Sequence, residues 1–442
     1  MKSITNRLKL LLIAGALPVA LFAQQPTISN WRAYDQSGIN VFETPKDNDA
    51  IFDGLKVRFG AGFTQQWQSL KHQNTANNNT GTGANRLYPL QSGFMTAQAN
   101  AYMDVQLGDG IALNVTTYLS SRHHNETWVK GGYIQFDKLP FKGKFWSDLM
   151  KVTTIKIGHF EVNYGDQHFR RTDGGQALYN PFMEGYIMDA FATEIGGEVY
   201  LKKNGFFGML GVTNGMIKGH IDSAFATPQD ANTHRNPSII LKAGVDKKLD
   251  DKTRVRFSGS YYHNSSAAGS GLTLYGGDRT GSNYQNVMEK GVPGALPAST
   301  IVAFSGRFNP GFSKKVDAIM LNGFFKITGL ELFATYETAK GRNKAEVDSR
   351  NASQFGIDGI YRFGATENVF IGARYNAVTA RLANTTADVK INRTAFAGGW
   401  FITKNTLLKV EYVIQKYNDF NATDFRNGGK FNGIVVEAVV GF

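Results

Sequence analysis

The chain has no cysteine and only 11 prolines among 442 residues. Disulfides, thiolate metal sites and a cysteine-linked lipid anchor are therefore excluded. Beyond residue 23 no apolar run is long enough to form a membrane-spanning helix, and the 3.6-residue period of amphipathic helices is nearly missing. A large soluble exported protein would normally show such helical periods together with continuous buried runs. What the chain has instead is 49 glycines, 32 phenylalanines and 18 tyrosines, spread over its whole length.

The N-terminus has its own logic. Lys2, Arg7 and Lys9 precede the apolar residues 10–23, and the chain turns polar at Gln24, Gln25 and Pro26. A basic start, a short apolar stretch and a small residue at the boundary describe a cleaved export signal over 1–23. Without it the 48 basic residues become 45, against 36 acidic ones. Residues 24–53 form an N-terminal periplasmic segment of open placement, and 54–442 a single repeating unit.

That unit alternates with period 2, which puts successive side chains on opposite faces of a strand. Leu55, Val57, Phe59, Ala61 and Phe63 oppose Lys56, Arg58, Thr64 and Gln66. Short turns such as Gly108-Asp109-Gly110, Lys203-Asn204-Gly205 and Lys404-Asn405 exchange with long polar loops at 70–92, 165–191, 215–236, 264–313 and 419–430. Residues 139–151 form one longer turn, with a helical stretch near 145–150. The pattern predicts an all-β, transmembrane antiparallel β-barrel of about 16 strands, with short periplasmic turns and longer extracellular loops. A second pair hidden near 301–308 would make the count about 18. The last strand alternates Ile434, Val436, Ala438 and Val440, and ends on Phe442. Such an ending matches the signal read by the barrel-insertion machinery. Phe59, Phe63, Val105, Leu113, Val436 and Val440 are expected to face lipid, and Asn100 the lumen.

Residues 155–166 (Ile-Lys-Ile-Gly-His-Phe-Glu-Val-Asn-Tyr-Gly-Asp), with Gly211-Val212-Thr213-Asn214-Gly215, resemble the phosphate-selective porin family of O and P type. The start of the chain, 31–43, resembles exported porins more generally. The resemblance implies an outer-membrane diffusion pore with a leaning toward anions. It does not carry a phosphate site across, because the family's lysine cluster has no clear counterpart here.

Loop 165–191 is the candidate constriction. It has the order and length of a loop that folds into a lumen, and it carries Asp166, His168, Arg170, Arg171, Asp173, Glu184 and Asp189. Rings of charge at a narrowing set ion preference. Tyr179, Phe182, Tyr186, Ile187 and Met188 favour the inward fold over a solvated loop. Arg170 and Arg171 are expected at the narrowest point. Alternation assigns Lys56, Arg58, Arg122, Glu161, Arg254, Arg256, Arg374 and Glu437 to the lumen wall. No catalytic, metal or cofactor site stands out. His263, beside Asn264, Ser265 and Ser266, is the nearest thing to a nucleophile pair, with no obvious orienting acid. The reading is a channel for small hydrophilic solutes or anions with mild anion preference. Its rivals are a non-conducting barrel serving as adhesin, receptor or scaffold, and a barrel hydrolase. Outer-membrane lipid is the expected surroundings, a homotrimer is one possible assembly, and export argues against nucleic acid.

Overall fold

The computed structural model describes residues 25–442 apart from 45, 121–127, 172–173, 216–222, 224, 266–273, 279, 281 and 292–304. Its strands in chain order are β1 (Lys56–Gln73), β2 (Gly93–Phe94), β3 (Gln98–Gly108), β4 (Ile111–Ser120), β5 (Trp128–Phe136), β6 (Thr153–Glu161), β7 (Thr193–Lys203), β8 (Phe206–Thr213) and β9 (Ser238–Lys248). They continue as β10 (Thr253–Asn264), β11 (Lys315–Ile327), β12 (Leu330–Arg342), β13 (Arg350–Phe363), β14 (Val369–Arg381), β15 (Asp388–Thr403), β16 (Thr406–Asn418) and β17 (Lys430–Gly441). A short helix, α1 (Lys144–Met150), lies in the turn between β5 and β6 where the sequence placed it.

Each strand pairs antiparallel with its chain neighbours, save that β2 and β3 do not pair with each other, and β17 returns to β1 with Gly62 opposite Gly441 and Gln73 opposite Lys430. The seam is completed by Phe442, whose N–H donates to the Ala61 carbonyl at 3.1 Å while the Ala61 N–H donates back at 2.9 Å. β2 and β3 both pair with β1, so they are two pieces of one barrel strand and the barrel has sixteen. Closure leaves no edge of unpaired backbone groups, which hydrocarbon would penalise by several kcal/mol each. The 18-strand alternative is overturned: β10 pairs directly with β11, Asn264 opposite Val316, and leaves no place for another pair.

Alternation sorts the faces. Phe59, Phe63 and Val436 are exposed on the outside and Leu113 and Val440 are half-buried there, whereas Val105, expected against lipid with them, is buried. Asn100 and Glu437 are buried within. Polar-in does not hold all round, however. On β11–β17 the inward positions include Val316, Val378, Ile391, Leu407, Val413, Val435 and Val439, all buried. They are covered by chain inside the barrel, chiefly loop residues 177–192 and, from the β10–β11 connection, Leu274, Tyr275, Tyr284, Val287, Met288, Phe308 and Phe312.

The lumen and its lining

Loop 165–191 turns inward at Gly165. Its φ of 71° suits glycine, and a Cβ there would collide with the Met320 sulfur. The next residue anchors it. Asp166 accepts from Arg256 Nε and Nη2 and from the Ser258 hydroxyl, all at 2.8 Å, and lies 2.8 Å from Lys242 Nζ. Burial alone would raise its pKa, but Lys242 and Arg256 overcome that and hold it at about 2.

The other charges of the loop are likewise engaged. Arg170 donates to Asn40 Oδ1 at 2.8 Å and lies 3.9 Å from Asp358. Arg171 forks onto Asp189 at 2.5 and 3.0 Å. Arg307, from the β10–β11 connection, joins Asp189 at 2.7 Å and Glu184 at 2.7 and 2.9 Å. Ser282 and the Asn283 N–H also donate to Glu184. Burial opposes ionisation of Glu184 and Asp189, and the arginines prevail, keeping both below the usual carboxylate range. His168 is buried 2.8 Å from Asn163 Oδ1; burial, then Lys242, push its pKa well down, so the imidazole is neutral near pH 7. Asp173 and Arg122 lie outside the described residues. Tyr179, Phe182, Tyr186, Ile187 and Met188 are all buried, at about 1.5–3 kcal/mol for each fully buried large apolar side chain.

The N-terminal segment also lies within the wall, toward the short-turn end. The Gln36 N–H donates to the Lys404 carbonyl in a short turn. Tyr34 donates to Asp104 at 3.1 Å and Asn40 to Glu331 at 2.7 Å. Glu43 lies 2.9 Å from Lys242 and 2.7 Å from Arg256. Arg32 donates to the Phe169 carbonyl and sits over the Tyr179 ring, which ties the segment to the inward loop.

A cavity of about 250 Å³ lies between this segment and the inner faces of β4–β7, and a larger one of about 640 Å³ opens at the short-turn end among Gln36, Asn40, Arg254, Lys326, Arg362 and Lys404. Lys130 on β5, Lys156 on β6 and Lys202 near the short-turn end of β7 line the β4–β7 cavity in that order. Lys130 lies 2.6 Å from Asp278, Lys156 lies 3.7 Å from Glu198 and over the Tyr133 and Phe160 rings, and Lys202 donates to the Thr44 carbonyl at 2.6 Å. Arg32, Glu43, Glu161, Asp137 and His168 share the lining. A further groove, bordered by Lys46, Asp109 and Lys138, meets the β4–β7 cavity at Asn30 and Asp137. Burial lowers the pKa of Lys46 to about 8.

The lumen residues expected from alternation lie as follows. Arg58 pairs with Asp104 at 2.6 Å, Arg254 with Asp246 at 2.7 Å, Arg374 with Asp358 at 2.6 Å, and Glu437 with Lys409 at 2.6 Å. Lys56 pairs with Asp53 at the rim, and Glu161 lies 3.6 Å from His168. Most are thus spent on cross-strand pairs. Sequence reasoning passed over Lys130, Lys156 and Lys202. The signal for Lys156 was present, since it alternates with Ile155 and Ile157. His263 requires a correction: Asp317 Oδ1 lies 2.5 Å from its Nδ1, so an orienting acid exists. The pair faces outward, and among the described residues no serine hydroxyl bonds to it.

No family model and no characterised protein matches the sequence. Solved structures do. The anion-selective porin from Comamonas acidovorans is similar at a TM-score of 0.53 and 10% identity, over 88% of this chain and 100% of that one. The chain has the fold of an outer-membrane β-barrel. The outer membrane channel DcaP of Acinetobacter baumannii (TM-score 0.49, 12% identity, 88% and 98% covered) and OmpT of Vibrio cholerae (0.49, 12%, 90% and 100%) are more distant in shape. At these identities the likeness speaks for the fold alone.

Proposed function

We propose that this barrel is a passive diffusion channel for small hydrophilic solutes with a mild anion preference, and that the route follows the β4–β7 wall. The observation that carries this is the series Lys130, Lys156 and Lys202 along the β4–β7 cavity. Cations fixed in a low-dielectric wall raise the local concentration of anions. The Comamonas acidovorans protein of similar fold is described as an anion-selective porin. In this reading Asp166, Arg170, Arg171, Glu184 and Asp189 anchor the constriction, while His168 and Glu161 face the opening. Residues 1–23 are assigned as the export signal, and Phe442 as the insertion signal. The filled β11–β17 side favours one rival, a non-conducting barrel that works through its loops.

The zero-current potential across a planar bilayer in a KCl gradient tests the proposal. The wild type should prefer chloride. K156Q/K202Q should shift the potential toward cations, and more in dilute salt, where screening reaches roughly 30 Å at 0.01 M against 3 Å at 1 M. An unchanged potential in a conducting variant would remove the lysines from the account. A wild type that inserts without conducting would select the rival.

A further inference from the structure

The outward face of β15, β16, β17 and β1 changes character at its long-loop end. Apolar outward positions stop at Phe396, Ile414, Ile434 and Trp67, and one to three outward steps later come Lys390, Lys416, Lys430 and Lys71. The register draws them together. Lys416 is directly opposite Lys430. Lys390 faces Asn418 while Lys416 faces Asn392, a diagonal offset of one outward position. Lys71 faces Asn432, and Lys430 also faces Gln73 on β1. Four lysines on four adjoining strands therefore lie in a slanted row roughly 20 Å long, with Lys416 and Lys430 at its centre.

Like charges directly opposite each other destabilise a sheet, and little protein charge offsets these. Among the described residues Asp419, 3.5 Å from Lys390, is the carboxylate paired with the row, and Lys71, Lys416 and Lys430 have no ion pair. The row begins where the apolar band ends, at the height of lipid headgroups. A groove of about 540 Å³ opens beside Lys71 and carries Arg86 on its wall. We propose that this row docks the phosphates of an anionic, multiply phosphorylated outer-leaflet lipid. Lys416 and Lys430 share one phosphate, and Asn392, Asn418 and Asn432 donate to headgroup oxygens.

The test is native mass spectrometry of the full chain incubated with bisphosphorylated or fully dephosphorylated lipid A. The wild type should retain the phosphorylated form preferentially. K416Q/K430Q should weaken that retention by about 25-fold, about fivefold per lysine, and K416R/K430R should keep it. Equal retention of the two lipids by the wild type, or wild-type retention by the glutamine variant, would overturn the proposal. If the glutamine variant does not fold, the wild type decides alone: its preference must weaken as salt rises, and a salt-independent preference counts against it. Inorganic phosphate at equal concentration should leave the lipid in place. Displacement by it would mean an ion site instead of a lipid-docking surface.

Discussion

Asp166 is taken out of water by the barrel wall and its own loop, so its ionised form persists because Arg256 and Lys242 close on it. Its pKa of about 2 lies below the usual 3.8. A depressed carboxylate contributes stability above its unfolded pKa and loses it as pH falls through its folded pKa. The Asp166 contribution, on the order of 2 kcal/mol, should be complete above pH 3.8, decline below that, and be gone under about 2. Urea midpoints measured across that range should fall, and the fall should be shallower in D166N. At pH 7 the same variant should lose about 3 kcal/mol, since it leaves buried cations short of a partner; an unfolding free energy within about 0.5 kcal/mol of wild type would contradict the anchoring role. Residue identity at the loop was legible, because its charges and rings share one long connection. Their partners were not, since Asp358, Arg307 and Asn40 come from three distant parts of the chain.

Strands were the most legible elements. Period 2 placed nearly all of them, because one face meets lipid and a one-residue slip would reverse every side chain. It fell short in one respect: it implies polar inward positions, whereas Val435 and Val439 point inward and are buried, since the inner wall there meets apolar loop and not water. Leu321, mid-strand on β11 and 54% exposed, tests the outer face. L321K should cost roughly 2–4 kcal/mol in folding into lipid vesicles, measured by urea-dependent tryptophan fluorescence. A negligible cost would place Leu321 away from the hydrocarbon. The N-terminal segment was the least legible element, having neither period nor turn signals, and its location follows from long-range pairs such as Glu43 with Lys242 and Arg256. Barrel closure depends on β1 and β17 and not on this segment. Deleting residues 25–53 should therefore leave a folded barrel with larger single-channel conductance. Unchanged conductance would mean that the segment does not bound the route.

The molecule as a whole is lopsided. Its β11–β17 side is packed with loops over apolar inner positions, and its β4–β7 side keeps lysines, tyrosines and an opening. That division sets the central claim, a water-filled route beside a filled half, and it was invisible in sequence because it depends on which loop covers which wall. Single-channel recording of the wild-type chain in planar bilayers addresses it most directly. The account predicts discrete, ohmic current steps on insertion, smaller than an unobstructed sixteen-strand barrel would give and larger in the 25–53 deletion. Insertion of the wild type without current steps would contradict it.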